Sequence, residues 1–138
     1  MSVAPLRAPQ PGTDPVPDRA DIEALLATYF DGVYESSADK FLSVFHPAAH
    51  LYFLDENGKV VDWPRDHWLG MVRERKSPKS QGHPRHDRIV QIDQSGPASA
   101  LAKVECAMPP RFFVDYLSLL KTDEGWRIIA KVFKAETR

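Results

Sequence analysis

The order of apolar and polar residues predicts three helices in the first part of the chain. Between residues 22 and 33, apolar side chains recur at intervals of three and four, which is typical of an amphipathic helix. Asp18 precedes this run and is expected to cap the helix. A short second helix is expected over residues 38–45, ended before Pro47 because a proline forces the preceding residue out of the helical region. A third helix is expected to begin with Pro64 at its first position.

The rest of the chain alternates between apolar and polar residues as strands do. Strands are expected over residues 50–54, 59–62, 88–93, 99–108, 111–121 and 126–134, with the first two joined by an Asp-Glu-Asn-Gly hairpin turn. Helices followed by antiparallel strands predict the α+β class. In residues 111–121 both faces are apolar, and the helices can cover only one side of the sheet. A homodimer through the outer sheet face is therefore expected.

Composition sets limits on size and partners. With 138 residues and 43% hydrophobic content, the chain has enough material for one domain with a core, expected over residues 18–138. Residues 1–17 are proline-rich and predict a disordered tail. A net charge of -1 favours neither nucleic acid nor membrane as a partner. The single cysteine, Cys106, suits a reducing compartment, and no apolar run approaches the ~20 residues of a membrane span. These features predict a cytoplasmic protein.

Several short segments, taken in order, carry a family resemblance. They are Tyr29-Phe30-x-Gly32, Asp39-Lys40-Phe41, Phe45-His46-Pro47-x-Ala49, Arg88-Ile89-x-x-Ile92-Asp93, Asp115-Tyr116-Leu117-x-Leu119-Leu120-Lys121 and Gly125-Trp126-Arg127-Ile128-x-x-Lys131-x-Phe133. Together, over residues 22–134, the chain resembles the "putative lumazine-binding" branch of the nuclear transport factor 2-like superfamily. The resemblance implies a cone-shaped, cystatin-like α+β fold, in which three N-terminal helices pack on a curved, mostly antiparallel sheet around a pocket.

The same superfamily includes ketosteroid isomerase, polyketide cyclases of the SnoaL type, dehydratases and members without enzyme activity. Ketosteroid isomerase holds a developing enolate with a tyrosine and a protonated acid. The resemblance to that enzyme places the tyrosine on Tyr29 and the acid on Asp115. Its base position falls near Phe53, which cannot carry a proton. His50, on the same predicted strand, is the candidate proton carrier.

Asp115 is the strongest candidate for chemistry. By strand alternation it shares a face with Phe113 and Leu117. A carboxylate among apolar groups either finds strong partners or stays protonated, because ionising it there costs several kcal/mol. Two interpretations stay open: Asp115 contacts a ligand, or it hydrogen-bonds a neighbouring element and fixes the fold.

Aromatic residues predict the wall of an apolar cavity that could bind a small planar molecule. The candidate lining residues are Phe30, Tyr34, Tyr52, Phe53, Trp63, Trp68, Phe113 and Leu117. Core packing is the commoner role of such aromatic residues, and this alternative stays open for Tyr29, Phe30, Tyr34, Tyr52, Trp63 and Trp68. Gly32 lies inside the first helix, where glycine costs about 1 kcal/mol relative to alanine. It indicates the close approach of another backbone or of a bound group.

The histidines and basic residues suggest other kinds of site. His83 and His86 are separated by Pro84, and no recognisable metal-ligand spacing includes them, so neither a metal nor a cofactor is expected. Basic residues around the polar loop over 76–88 could attract an anion such as a carboxylate or phosphate, although a solvated loop is the simpler interpretation. These residues are Arg73, Arg75, Lys76, Lys79, Arg85 and Arg88.

Two function hypotheses follow. The first is an enzyme of proton-transfer type, an isomerase, cyclase or dehydratase, acting on a small hydrophobic or planar metabolite through Asp115, Tyr29 and His50. The second is a non-catalytic ligand-binding or dimeric assembly module with the same fold, since one scaffold can host both. A pocket of a few hundred cubic ångströms where Asp115 and a histidine converge would favour the enzyme. A filled cone would favour the module.

Overall fold

The computed structural model of the protein describes residues 15–138. The predicted tail, residues 1–17, therefore lies outside the described residues except for its last three positions. Val16 packs against the hydrophobic core, and its carbonyl accepts a hydrogen bond from the Arg19 backbone N–H over 3.1 Å. Contact with the core thus begins just before the expected domain start at Asp18.

Three helices and six strands make up the described chain. In order they are α1 (Arg19–Glu35), α2 (Ala38–Val44), β1 (Phe45–Leu54), β2 (Val60–Pro64), α3 (Arg65–Glu74), β3 (Arg88–Ser95), β4 (Ser99–Met108), β5 (Arg111–Thr122) and β6 (Gly125–Thr137). The largest departure from the predicted bounds is β1, which begins directly after α2 and contains Pro47. The pairing of β1 with β6 is irregular between Phe45 and His50, and a proline is tolerated in such a strand irregularity. Within residues 15–138, no helix has the length and apolarity needed to cross a bilayer.

The six strands form one sheet in the order β2-β1-β6-β5-β4-β3. β1 and β6 run parallel and every other neighbouring pair is antiparallel. The three helices pack against this sheet, and the α+β prediction is confirmed. Asp115 lies near the centre of the sheet, because its strand neighbours are Val104 on β4 and Phe133 on β6.

Four aromatic side chains join the helices to the sheet. Phe41 on α2 and Phe45 on β1 both pack against Trp68 of α3, with ring centroids 4.6 Å and 5.2 Å apart, and Tyr29 of α1 lies 5.8 Å from Phe41. A Cβ atom on Gly32 would lie 2.7 Å from the Phe41 ring. The close approach expected at Gly32 is therefore made by an aromatic side chain, and the predicted backbone or bound group is not its cause.

Asp18 does not cap α1 through its side chain, contrary to the sequence prediction. Its Oδ2 instead accepts hydrogen bonds from Trp126 Nε1 over 2.9 Å and from Lys121 Nζ over 3.1 Å. These bonds, from Lys121 first and then Trp126, lower the pKa of Asp18. A charge-assisted hydrogen bond from an ammonium group, together with one from an indole N–H, stabilises the Asp18 carboxylate more than a single backbone N–H of the helix would. Asp18 thus ties the start of α1 to the β5–β6 turn.

An extra residue in β6 changes which side chains face the helices. Leu119 of β5 pairs with Ile128, but the preceding Ser118 pairs with Ala130, so Ile129 is a bulge. Before the bulge Ile128 is buried; after it Lys131 is buried and Val132 is 50% exposed. The bulge therefore places Lys131 on the helix side of the sheet.

Candidate functional site

Asp115 is the centre of a buried polar cluster. Its side chain is fully buried, and its Oδ2 accepts a hydrogen bond from the Tyr29 hydroxyl over 2.5 Å. The Cys106 thiol donates to the same oxygen over 3.5 Å, and Lys131 Nζ lies 3.7 Å from it. Asp115 Oδ1 has no hydrogen-bond partner among the described residues. The buried acid has thus found partners on α1, β4 and β6.

The electrostatics of the cluster keep two neighbours of Asp115, Tyr29 and Cys106, protonated. Burial, and then the charge of Asp115, raise the pKa of Tyr29 well above its ordinary value. The same two causes raise the pKa of the Cys106 thiol. Desolvation disfavours the charged form of each acid, and a nearby anion disfavours it further. Tyr29 and Cys106 therefore act as neutral donors toward the carboxylate.

Lys131 brings a positive charge to this cluster and is held among aromatic rings. Its ammonium lies 4.9 Å from the ring centroid of Phe133, 5.2 Å from that of Trp68 and 5.4 Å from that of Tyr29. Rings at these distances attract a cation through their negatively charged faces. Lys131 is only 7% exposed, so both the rings and Asp115 offset the cost of burying its charge.

A cavity of about 440 Å³ lies beside the cluster. Its lining comprises the rings of Phe53, Trp63, Trp68, Phe113 and Phe133, the smaller apolar residues Val33, Cys106, Met71, Met108 and Pro110, and the cations Arg75, Arg111 and Lys131. Asp115 and Tyr29 are not part of this lining. They lie behind the wall, in contact with Lys131 and Cys106, which belong to it.

The predicted lining residues are divided among four places. Phe53, Trp63, Trp68 and Phe113 line the cavity, while Phe30 and Leu117 belong to the hydrophobic core. Tyr34 donates its hydroxyl to the His83 carbonyl over 2.8 Å. Tyr52 lines a second depression, of about 680 Å³, that shares Phe53, Arg111 and Phe133 with the cavity.

His50 lies on the other side of the sheet. On β1 its neighbours Ala49 and Leu51 are fully buried on the helix side, whereas the His50 side chain is 37% exposed. Its Nδ1 is 2.5 Å from Asp62 Oδ1 on β2. His50, the predicted proton carrier, therefore does not line the cavity, and neither does any other histidine of the described residues. Residues 15–138 also contain no group of three or more side chains placed to hold a metal ion.

Two of the three cations of the cavity wall, Arg111 and Lys131, are not among the site residues that the sequence predicts. Lys131 appears in the sequence only within a family motif, because strict alternation from Trp126 places its side chain on the outer face and only the bulge reverses this. Arg75 is one of the basic residues near the polar loop that the sequence offers for an anion, and Arg111 only begins a predicted strand. Their meeting at one cavity depends on how α3 and β5 pack, for which the local pattern holds no signal.

Comparison with known proteins places this arrangement in a family. Residues 17–134 match the family model described as "Putative lumazine-binding". The chain belongs to this family. The sequence resemblance is thereby confirmed, and the cavity described above is that of a member of the "Putative lumazine-binding" family. Among proteins with curated descriptions, none has a matching sequence.

Solved structures share the fold with this family member. A nuclear transport factor 2-like protein of unknown function from Shewanella baltica is 20% identical, with a TM-score of 0.80 over 92% of this chain and 100% of that one. Another, from Methylobacillus flagellatus, is 25% identical, with a TM-score of 0.72 over 91% and 97%. A ketosteroid isomerase-like protein from Erwinia carotovora atroseptica is 12% identical, with a TM-score of 0.67 over 88% and 98%. These likenesses concern the fold.

Proposed function

We propose that this protein binds a small planar or hydrophobic metabolite in the cavity beside Asp115. The observation that carries the proposal is an aromatic-walled space of about 440 Å³ whose lining includes a few polar groups. Small-molecule sites are typically concave, mostly apolar and of this size, with few polar groups that fix orientation. The description of the family as "Putative lumazine-binding" supports the same class of ligand, a flat heterocycle among them.

A cavity-filling variant tests the proposal. Met71 lines the cavity and is 43% exposed, so Met71→Trp should reduce the space without removing a core contact. Lumazine and a set of planar aromatic metabolites are titrated by calorimetry and thermal shift. A ligand that binds only the folded form raises the melting temperature further as its concentration increases. Leu42→Trp, on the exposed side of α2, is the matched control.

Two results would count against the cavity as the binding site. One is a planar ligand that binds Met71→Trp and the unsubstituted protein equally well. The other is the absence of binding by every member of the set. Loss of binding in Met71→Trp together with retention in Leu42→Trp is the expected result.

Proton-transfer chemistry is the second candidate function, and the buried Tyr29–Asp115–Lys131 cluster favours it. Lys131 would donate a hydrogen bond to negative charge developing on a ligand oxygen as solvent water takes up the proton of the ligand C–H, while Asp115 and Tyr29 would position the ammonium. Proton NMR of a bound ligand in D₂O would detect exchange of its acidic C–H, which Lys131→Met should abolish. Binding without exchange would identify the non-catalytic module instead.

We also propose that the protein forms a homodimer through the outer face of the sheet. Large apolar side chains are exposed on β3, β4, β5 and β6, namely Val90, Leu101, Tyr116, Leu120 and Val132. Exposed large apolar side chains on one sheet are typical of an interaction surface, and two of them, Tyr116 and Val132, are direct strand neighbours. Analytical ultracentrifugation should give a dimer that Tyr116→Lys dissociates and Leu42→Lys, on α2, leaves intact. A monomeric unsubstituted protein would overturn this.

A further inference from the structure

All charged side chains that line the cavity are positive. Arg75, Arg111 and Lys131 line the cavity, and the lining contains no aspartate or glutamate. Asp115 balances one of these charges from behind, because its Oδ2 lies 3.7 Å from Lys131 Nζ. Two positive charges at the cavity therefore remain without an acidic neighbour in its wall.

The two arginines have no carboxylate partner within residues 15–138. In this part of the chain the side-chain hydrogen bond of Arg75 goes from Nε to the neutral Ser36 Oγ over 3.4 Å. By contrast, Arg85, an exposed arginine, forms salt bridges with two carboxylates, those of Asp31 and Asp87. Arg75 is half-buried, and burial followed by repulsion from Arg111 lowers its pKa. Holding such a cation without a counter-charge costs free energy, which a bound anion would recover.

Aromatic rings hold both guanidinium groups in place. The Arg75 guanidinium carbon lies 6.0 Å from the Trp68 ring centroid, and that of Arg111 lies 5.2 Å from the Phe113 centroid. Attraction to a ring does not use the guanidinium N–H groups as hydrogen-bond donors to a carboxylate, so these groups stay available for bidentate binding of one. The rings that hold the cations also line the cavity. A flat ligand body and its charged group would therefore contact the same wall.

We propose that the ligand of this cavity is an aromatic or otherwise planar carboxylate, whose anionic group is bound by Arg75 and Arg111 while its flat body packs among the rings of the wall. This inference rests on the proposed ligand-binding function and narrows it to one chemical class. Lys131, already neutralised by Asp115, is left to contact the polar part of the ring system. Arg75 and Arg111 are thus specificity-determining residues.

Two matched probes test the inference, 2-naphthoate and the uncharged 2-naphthamide, titrated by calorimetry at neutral pH. Because charge-assisted hydrogen bonds to arginine are worth more than neutral ones, naphthoate should bind at least about tenfold more tightly than naphthamide. Arg75→Met and Arg111→Met should each reduce this ratio and keep naphthamide binding, which also shows that the variants are folded. Arg73→Met changes an exposed arginine of α3 outside the cavity and should leave the ratio unchanged.

The outcomes separate the inference from the function on which it rests. Equal affinity for both probes would overturn the proposed preference for carboxylates, as would a ratio of the two affinities that Arg75→Met and Arg111→Met leave unchanged. Neither result would contradict binding of planar ligands in the cavity. Failure of both probes to bind the unsubstituted protein would overturn the proposed preference for carboxylates and would also count against the cavity as a site for planar ligands.

Discussion

The Tyr29 hydroxyl on α1 donates a hydrogen bond to Asp115 Oδ2 on β5 over 2.5 Å, between residues that are 86 positions apart in the chain. Both side chains are fully buried. Tyr29→Phe removes the donor and keeps the ring, so it should lower the free energy of unfolding by about 1–3 kcal/mol, the cost of leaving a buried acceptor poorly satisfied. Urea denaturation measures the loss. Tyr34→Phe, which removes a half-buried bond to a loop carbonyl, should cost less; an equal or larger cost would contradict the prediction.

Lys131 and Asp115 should behave as a coupled pair. Lys131→Met leaves a buried carboxylate without its positive neighbour, and breaking such a pair typically costs about 3–5 kcal/mol. Asp115→Asn in the same protein removes the remaining charge, so the double variant should be more stable than Lys131→Met alone. A double-mutant cycle in urea measures the coupling. Additive effects of the two substitutions would show that the 3.7 Å contact contributes nothing.

Gly32 and Gly70 should respond to alanine in opposite directions. A Cβ on Gly32 would lie 2.7 Å from the buried Phe41 ring, whereas one on Gly70, in α3, would meet no atom within 4 Å. Overpacking costs about 1–3 kcal/mol, and alanine returns up to about 1 kcal/mol of helix propensity. Gly32→Ala should therefore destabilise the protein, while Gly70→Ala should stabilise it by about 0.5–1 kcal/mol. Thermal and urea unfolding of both variants decide the matter, and a stabilised Gly32→Ala would refute the close contact.

Stability should fall at alkaline pH because of Tyr29 and Cys106. Burial raises the folded-state pKa of Tyr29 above its ordinary 10.0 and that of Cys106 above 9.0. Each group therefore contributes stability that is complete below its unfolded pKa and is lost as the pH rises through its folded pKa. The free energy of unfolding, measured against pH, should decline above about pH 9. The decline should be shallower in Cys106→Ala, and an identical slope would contradict the assignment.

Asp18 should make stability sensitive to acid. Its hydrogen bonds from Lys121 and Trp126 lower its folded-state pKa below the ordinary 3.8. Its contribution is thus present above the unfolded pKa and is lost as the pH falls through the folded pKa. Asp18→Asn should lower the melting temperature at neutral pH and flatten the loss of stability below about pH 4. Asp21→Asn, in the first turn of the same helix, is the control and should alter the acid slope less.

Local patterns were enough to predict the elements and the place of Asp115. Helical spacing from Ile22 onward and the alternation along β5 both arise from burial of one face, which the sequence records directly. Alternation along β5 put Asp115 on the same face as Leu117, and both are fully buried. The start of β1 was harder, because Pro47 normally signals an end and is here accommodated by irregular pairing with β6.

The composition of the cavity wall could not be predicted because it depends on packing between distant elements. His50 has the chemistry of a proton carrier and lies on a predicted strand, but its side chain is on the outer face with Asp62. Arg75 follows α3 and Arg111 opens β5, and nothing local shows that they line one space. Lys131 required knowledge of a bulge that only strand pairing reveals.

The bulge at Ile129 also affects how relatives of this chain should be compared. Deletion of that single residue would exchange the orientations of Lys131 and Val132, so that an ammonium would move to the solvent side and an isopropyl group would replace it inside. Two homologues could have the same sequence after residue 129 and differ by one residue in the length of β6. One would then present a charged side chain to a ligand and the other an apolar side chain. Alignments of such proteins should be anchored on the pairing partner of each β6 residue.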